Sequence, residues 1–180
     1  MQRRRVIWFV ACVAVLVVAG CSKRNVRGFY HVSHRQRYAI TDAELRGLQF
    51  YISKDVVVHT QPGAGGGAAE PVIILPKGTP GVVVDSGPDW LRVSFEKGGA
   101  GVQFVADANR PEDLYWFATE VDGKSGFYKL SALPHTMLLR DGQHYVVVEG
   151  ADAVLFVDKR DLEKLIKSRR HVQGQTRDGR

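Results

Sequence analysis

Hydrophobic and polar positions alternate along this 180-residue chain in three different ways. First comes an unbroken apolar run, Val6 to Val18, thirteen residues long. A membrane-crossing helix needs about 20 such residues, so thirteen matches the apolar core of a secretory leader. Residues 22–40 follow without clear period, polar and basic, and read as a tether. From Thr41 the pattern becomes structural. Thr41 and Glu44 stand at capping-box spacing ahead of Leu45 and Leu48, predicting a short helix stopped near Gly47. Gln49–His59 is rich in β-branched and aromatic residues and predicts one bent strand. Gln61–Pro71 is too glycine-rich for a regular element.

Short strands then recur between turns, over 72–75, 82–85, 90–96 and 102–107. In the third, Leu91, Val93 and Phe95 alternate with Trp90, Arg92, Ser94 and Glu96, the period of a strand with one buried face. LYWFATEV and FYKL flank a hairpin-like turn, and Asp141-Gly142 sits at the tip of a second hairpin within 135–150. Strand 154–157 leads into a closing helix, capped by Asp158, with Leu162, Leu165 and Ile166 on one face. The expected fold is mainly β: a small antiparallel β-barrel or rolled sheet with a short N-terminal helix and a C-terminal helix. The expected organisation is a leader over 1–20, a basic tether over 21–40, a β-rich domain over 41–170 and a disordered tail over 171–180.

The leader opens with Arg3, Arg4 and Arg5 and closes with Val18-Ala19-Gly20-Cys21. That ending resembles the lipobox of bacterial lipoproteins, where small residues precede a cysteine that is acylated and becomes N-terminal. The resemblance implies lipidation at Cys21, and Ser22 after it implies sorting to the outer membrane, facing the periplasm. An ordinary signal peptide or a short anchor, with Cys21 incidental, is the plainer alternative. The chain's two cysteines are Cys12 and Cys21. On this reading the mature chain keeps no free thiol, which excludes a disulfide, a thiolate nucleophile and a thiolate metal site.

Charge sharpens the division. The formal net charge is +6, and the leader accounts for three of it. Residues 21–40 and 159–180 carry +5 each, whereas 41–158 carry −7. Basic residues beside a lipid anchor suit anionic headgroups, at about 1 kcal/mol each; solvated tails are the plainer reading. A basic balance also suits nucleic acid, but an exported, anchored chain does not meet it, and RRHVQGQTRDGR offers no aromatic platform. No nucleic-acid partner is expected.

Residues 55–107 resemble the bacterial relatives of the Src-homology-three domain. The similarity rests on DVVVHTQPG, on the "strand, K-G-T, strand" hairpin around Leu75-Pro76-Lys77-Gly78-Thr79, and on Trp90-Leu91-Arg92-Val93. It implies a small barrel and a cell-wall-binding role. The chain departs from that family at Val102-Gln103-Phe104, where a glycine-tryptophan pair would stand. Gln49–Asp55 is similar to a strand of uncharacterised envelope lipoproteins, which implies no activity.

Chemistry-bearing patterns are sparse. His31 and His34 lack a third nearby ligand, and the remaining histidines are scattered, so no metal site is expected. The glycine runs lead into no helix and no Lys-Ser/Thr pair, as a phosphate cradle requires. There is no G-x-S-x-G elbow. Acid pairs such as Glu112-Asp113, Glu120-Asp122 and Asp85-Asp89 are what any acidic β surface offers; an enzyme acting on the cell wall would need Glu112 or Glu120 in a cleft. No catalytic residue and no cofactor are expected. Aromatic residues gather at Tyr115, Trp116, Phe117, Phe127 and Tyr128, as cross-strand packing alone would produce. Trp90, Tyr115 and Trp116 are the candidate ligand-binding residues. The function expected is a non-catalytic binding module for peptidoglycan or an envelope protein; a structural accessory of a larger envelope complex is the alternative.

Overall fold

A computed structural model describes residues 26–60, 71–99, 101–121, 126–133, 137–140 and 143–170. The leader with Cys21, the glycine-rich loop, the Asp141-Gly142 tip and the 171–180 tail lie outside them. The strands are β1 (Arg27–Phe29), β2 (Phe50–Ile52), β3 (Val56–Thr60), β4 (Pro71–Leu75), β5 (Pro80–Ser86) and β6 (Trp90–Ser94), then β7 (Val102–Val105), β8 (Trp116–Thr119), β9 (Tyr128–Lys129), β10 (Met137–Arg140), β11 (Gln143–Glu149) and β12 (Leu155–Asp158). The α-helices are α1 (Val32–Arg37), α2 (Asp42–Leu45) and α3 (Lys159–Arg170).

The fold is mainly β, built as two antiparallel sheets. One has eight strands in the order β1-β12-β2-β5-β6-β7-β8-β9, the other four in the order β10-β11-β3-β4. The larger sheet does not close into a barrel; it rolls. The start of β12 turns back on β8, where Phe117 N–H donates to Ala153 O (2.8 Å) and Leu155 N–H to Tyr115 O (3.1 Å). Inside the roll lie Tyr30, Phe50, Ile52, Leu91, Phe104, Tyr115, Phe117 and Leu155, all fully or almost fully buried.

Two expectations about connections change. Gln49–His59 is not one strand, because β2 and β3 belong to different sheets. The chain switches sheets at Ser53–Asp55. There Ser53 Oγ accepts from Val154 N–H (2.8 Å) and Asp55 accepts from Lys77 N–H (2.6 Å). The Lys77-Gly78-Thr79 turn likewise closes no hairpin: β4 pairs with β3, and β5 pairs with β2 and β6. Both passages turn at one corner, where Gly78, at φ +81°, donates its N–H to Ile52 O (2.8 Å). That backbone conformation favours glycine.

The tether expected over 21–40 is, from Arg27 onward, part of the fold. Tyr30, Val32 and Ile40 are buried, and β1 pairs with β12. Helix α1 has no hydroxyl cap. Its first N–H groups instead find the carbonyls of Asp113 (from Val32, 3.0 Å) and Pro111 (from Ser33, 2.7 Å). Arg35 also tucks in, donating to Asp42 Oδ1 (2.7 Å) and to Gly87 O. Basic side chains with long apolar stems thus cover core while keeping their charge partnered.

The other two helices match expectation. Glu44 N–H donates to Thr41 Oγ1 (3.4 Å) and Thr41 N–H to Glu44 Oε2 (2.8 Å), the reciprocal capping box. Asp158 Oδ1 accepts from Arg160 N–H (2.9 Å) at the start of α3, and Leu162 packs into the core. Near the end of α3, Arg169 pairs with Glu44 and donates to Ala39 O (2.8 Å), tying the C-terminal helix to α2.

Candidate functional site

The register of β6, β7 and β8 decides which aromatic side chains share a face. Trp90 stands opposite Val105, and Val105 opposite Trp116. Two strand spacings put the tryptophans roughly 10 Å apart on the outer face of the sheet. The next row on that face is Arg92, Gln103, Ala118 and Lys129. The opposite face carries Leu91, Phe104 and Phe117 into the core.

Trp90 meets Phe127 edge to face at 5.1 Å, and the Arg92 guanidinium lies 5.8 Å from its ring centre. Its indole folds across Gly87, where a β-carbon would displace the ring. Arg92 lies 3.8 Å from Asp85 Oδ2, and the Gln103 amide oxygen, turned toward Arg92, accepts from its Nη2 at 2.9 Å.

Trp116 is held from two sides. Its Nε1–H donates to Asp113 Oδ1 (3.0 Å), and the Lys129 ammonium sits 4.9 Å from the ring centre. Lys129 also bonds Asp113 Oδ2 at 3.0 Å. Burial pulls the Asp113 carboxyl upward, but hydrogen bonds from Asp107 N–H, Trp116, Lys129 and Leu114 N–H outweigh it and hold the group below the ordinary aspartate range. Asp113 is therefore an ionised, saturated acceptor that fixes Trp116 and Lys129, with no proton to give.

Tyr115 leaves the expected site. It is fully buried and stacks on Tyr30 at 5.4 Å, on the other side of the chain from Trp116. Adjacent residues of an extended chain point to opposite faces, so Tyr115 and Trp116 cannot line one groove. Arg92, Gln103, Phe127 and Lys129 take its place. Period two already put Arg92 beside Trp90; the other three depend on register, which the sequence did not specify.

Glu112 and Glu120 are both exposed, the first in the turn before β8 and the second directly after the strand. His31 and His34 are packed together, His31 N–H donating to His34 Nδ1 (3.0 Å). Among the described residues no three His, Cys, Asp or Glu side chains stand where they could share a metal ion. Nor is any described helix long and apolar enough to cross a membrane. The face sets two partly exposed indoles beside the guanidinium, amide and ammonium groups of Arg92, Gln103 and Lys129. No family model, curated protein or solved structure matches this chain.

Proposed function

We propose that the chain is an outer-membrane lipoprotein, anchored through Cys21 and facing the periplasm, whose β body binds the cell wall without catalysis. The observation that carries the binding role is the Trp90–Val105–Trp116 row with Arg92, Gln103 and Lys129 beside it. Sugar rings present flat C–H faces to indoles and hydroxyls to polar neighbours, and peptidoglycan adds carboxylates that suit Arg92 and Lys129. The leader and the Val18-Ala19-Gly20-Cys21 ending support the address. The saturated Asp113 and the separated Glu112 and Glu120 support a binding role over a hydrolytic one.

The chain's three tryptophans are Trp8, Trp90 and Trp116. Trp8 leaves with the leader on this reading, so tryptophan fluorescence, excited beyond the absorption of the chain's six tyrosines, reports on the proposed face in the mature chain. Titration with soluble peptidoglycan fragments should change that emission in a saturable way, and Trp116→Ala should weaken the affinity about 30-fold or more, as for a binding hot spot. Emission indifferent to saturating fragments would remove the face from wall recognition.

The second reading is an accessory bound to another envelope protein. Its support is apolar exposure elsewhere: Ile74 on β4 is 61% exposed, and Val82 and Val84 stand out from β5. Crosslinking in cells should then trap one dominant protein partner.

A further inference from the structure

A cavity of about 480 Å³ opens beside the edge of β1, where α1 and α3 converge. Arg27, Lys159, His31 and His34 line it together with Phe29 and Leu162, and no carboxylate is among its lining residues. The nearest acid in register, Asp158 opposite Arg27, turns its carboxylate to cap α3. The Lys159 stem crosses Gly28 at the cavity wall, where the absence of a β-carbon leaves it room. Arg27 stacks its guanidinium on Tyr51, 3.9 Å from the ring centre. His31 Nδ1–H donates to Glu112 O (2.9 Å), and because His34 Nδ1 accepts from His31 N–H, the neutral His34 ring carries its proton on Nε2. The cavity thus sets Lys159 beside two imidazoles, with the Arg27 guanidinium at its margin over Tyr51. At its rim Phe29 is 49% exposed and Val26 51% exposed.

Position selects the occupant. Arg27 follows Cys21 by six residues, and six extended residues span at most about 20 Å. An acyl group on Cys21 would therefore keep this cavity at the membrane surface, with Phe29 and Val26 facing the acyl boundary. We propose that the cavity binds the phosphate of an anionic phospholipid headgroup and so fixes the orientation of the body on the bilayer. The choice of a lipid rests on the anchored reading; the phosphate chemistry does not. Removing two cations that face an anionic surface should weaken occupancy roughly thirty-fold.

The test uses the full chain as purified from membranes, its acyl group recorded by intact mass, in nanodiscs of phosphatidylcholine alone or mixed with phosphatidylglycerol. Ring signals of His31 and His34 should shift with phosphatidylglycerol, while His59 in the four-stranded sheet should not move and serves as the folding control. The shift should be lost in R27Q/K159Q and kept in K23Q/R24Q. No shift with phosphatidylglycerol, or an equal shift in R27Q/K159Q, overturns the proposal, the latter in favour of diffuse surface charge. A shift produced by inorganic phosphate in phosphatidylcholine discs but not by phosphatidylglycerol overturns it in favour of a free-anion site. Failure of the anchor is read separately: an intact mass without the lipid on Cys21 sinks the lipoprotein reading, and phosphatidylglycerol vesicles added to that chain still interrogate the cavity.

Discussion

Tyr30 carries a hydroxyl into the middle of the core, where it is fully buried and has no hydrogen-bond partner. Burial, reinforced by neighbouring Tyr115, pushes its ionisation far above the ordinary tyrosine range. A buried hydroxyl without a partner costs about 1–3 kcal/mol, whereas the ring itself stacks on Tyr115 and meets Phe50 edge to face at 5.1 Å. Tyr30→Phe keeps the ring and drops the hydroxyl. It should leave stability unchanged or raise it by about 1 kcal/mol in urea denaturation; a loss of more than about 1 kcal/mol would mean that the hydroxyl is satisfied in solution. The same buried stack explains why Tyr115 belongs to the core: the aromatic cluster Tyr115-Trp116-Phe117 is legible in sequence, but only alternation sorts its members between core and surface.

Among the elements, α3 depends most visibly on charge. Arg169, helped by the Thr41 backbone and hydroxyl, holds the Glu44 carboxyl at about 2, against an ordinary value of 4.5. A carboxyl depressed in the folded state contributes stability that is present above pH 4.5 and is lost as pH falls toward 2. Urea midpoints followed down through that window should decline, and Glu44→Gln should be less stable at neutral pH and decline less steeply on acidification. A parallel decline in wild type and variant would detach α3 from this pair. The capping signals at Thr41 and Asp158 made both of those helices legible in sequence, because a cap and its hydrophobic face lie within one short window. Most strand positions after Gln49 were legible for the same reason, through alternation, whereas β1 was not and β2 and β3 read as one. Sheet membership was not, because Ser53–Asp55 and Lys77–Thr79 look like a bend and a hairpin until the two sheets they join are known. Helix α1 was hidden by composition: five basic residues dominate 21–40, while the three residues that bury it, Tyr30, Val32 and Ile40, form no helical period. Trp90 and Trp116 were legible as candidates. Their polar neighbours Gln103 and Lys129 came from other strands and needed the register.

At the scale of the whole molecule, anchor, orientation and ligand face form one proposal. On that proposal the leader would bring Cys21 to the membrane, the six-residue spacing to Arg27 would hold the body near it, and the tryptophan row lies on the outer face of β6 to β8. Palmitate labelling in cells should mark the wild type and leave Cys21→Ser unmarked; label on both would place the lipid elsewhere. The wall-binding claim meets its most direct test in co-sedimentation of the chain from Ser22 onward with purified peptidoglycan sacculi, at low and at high salt. Basic tails held by an anionic polymer release at high ionic strength, whereas stacking on indoles does not. Pelleting that survives high salt and disappears in W90A/W116A, with the fold verified by circular dichroism, is the expected result. Pelleting that vanishes in salt, or that persists in the double variant, contradicts wall recognition by this face.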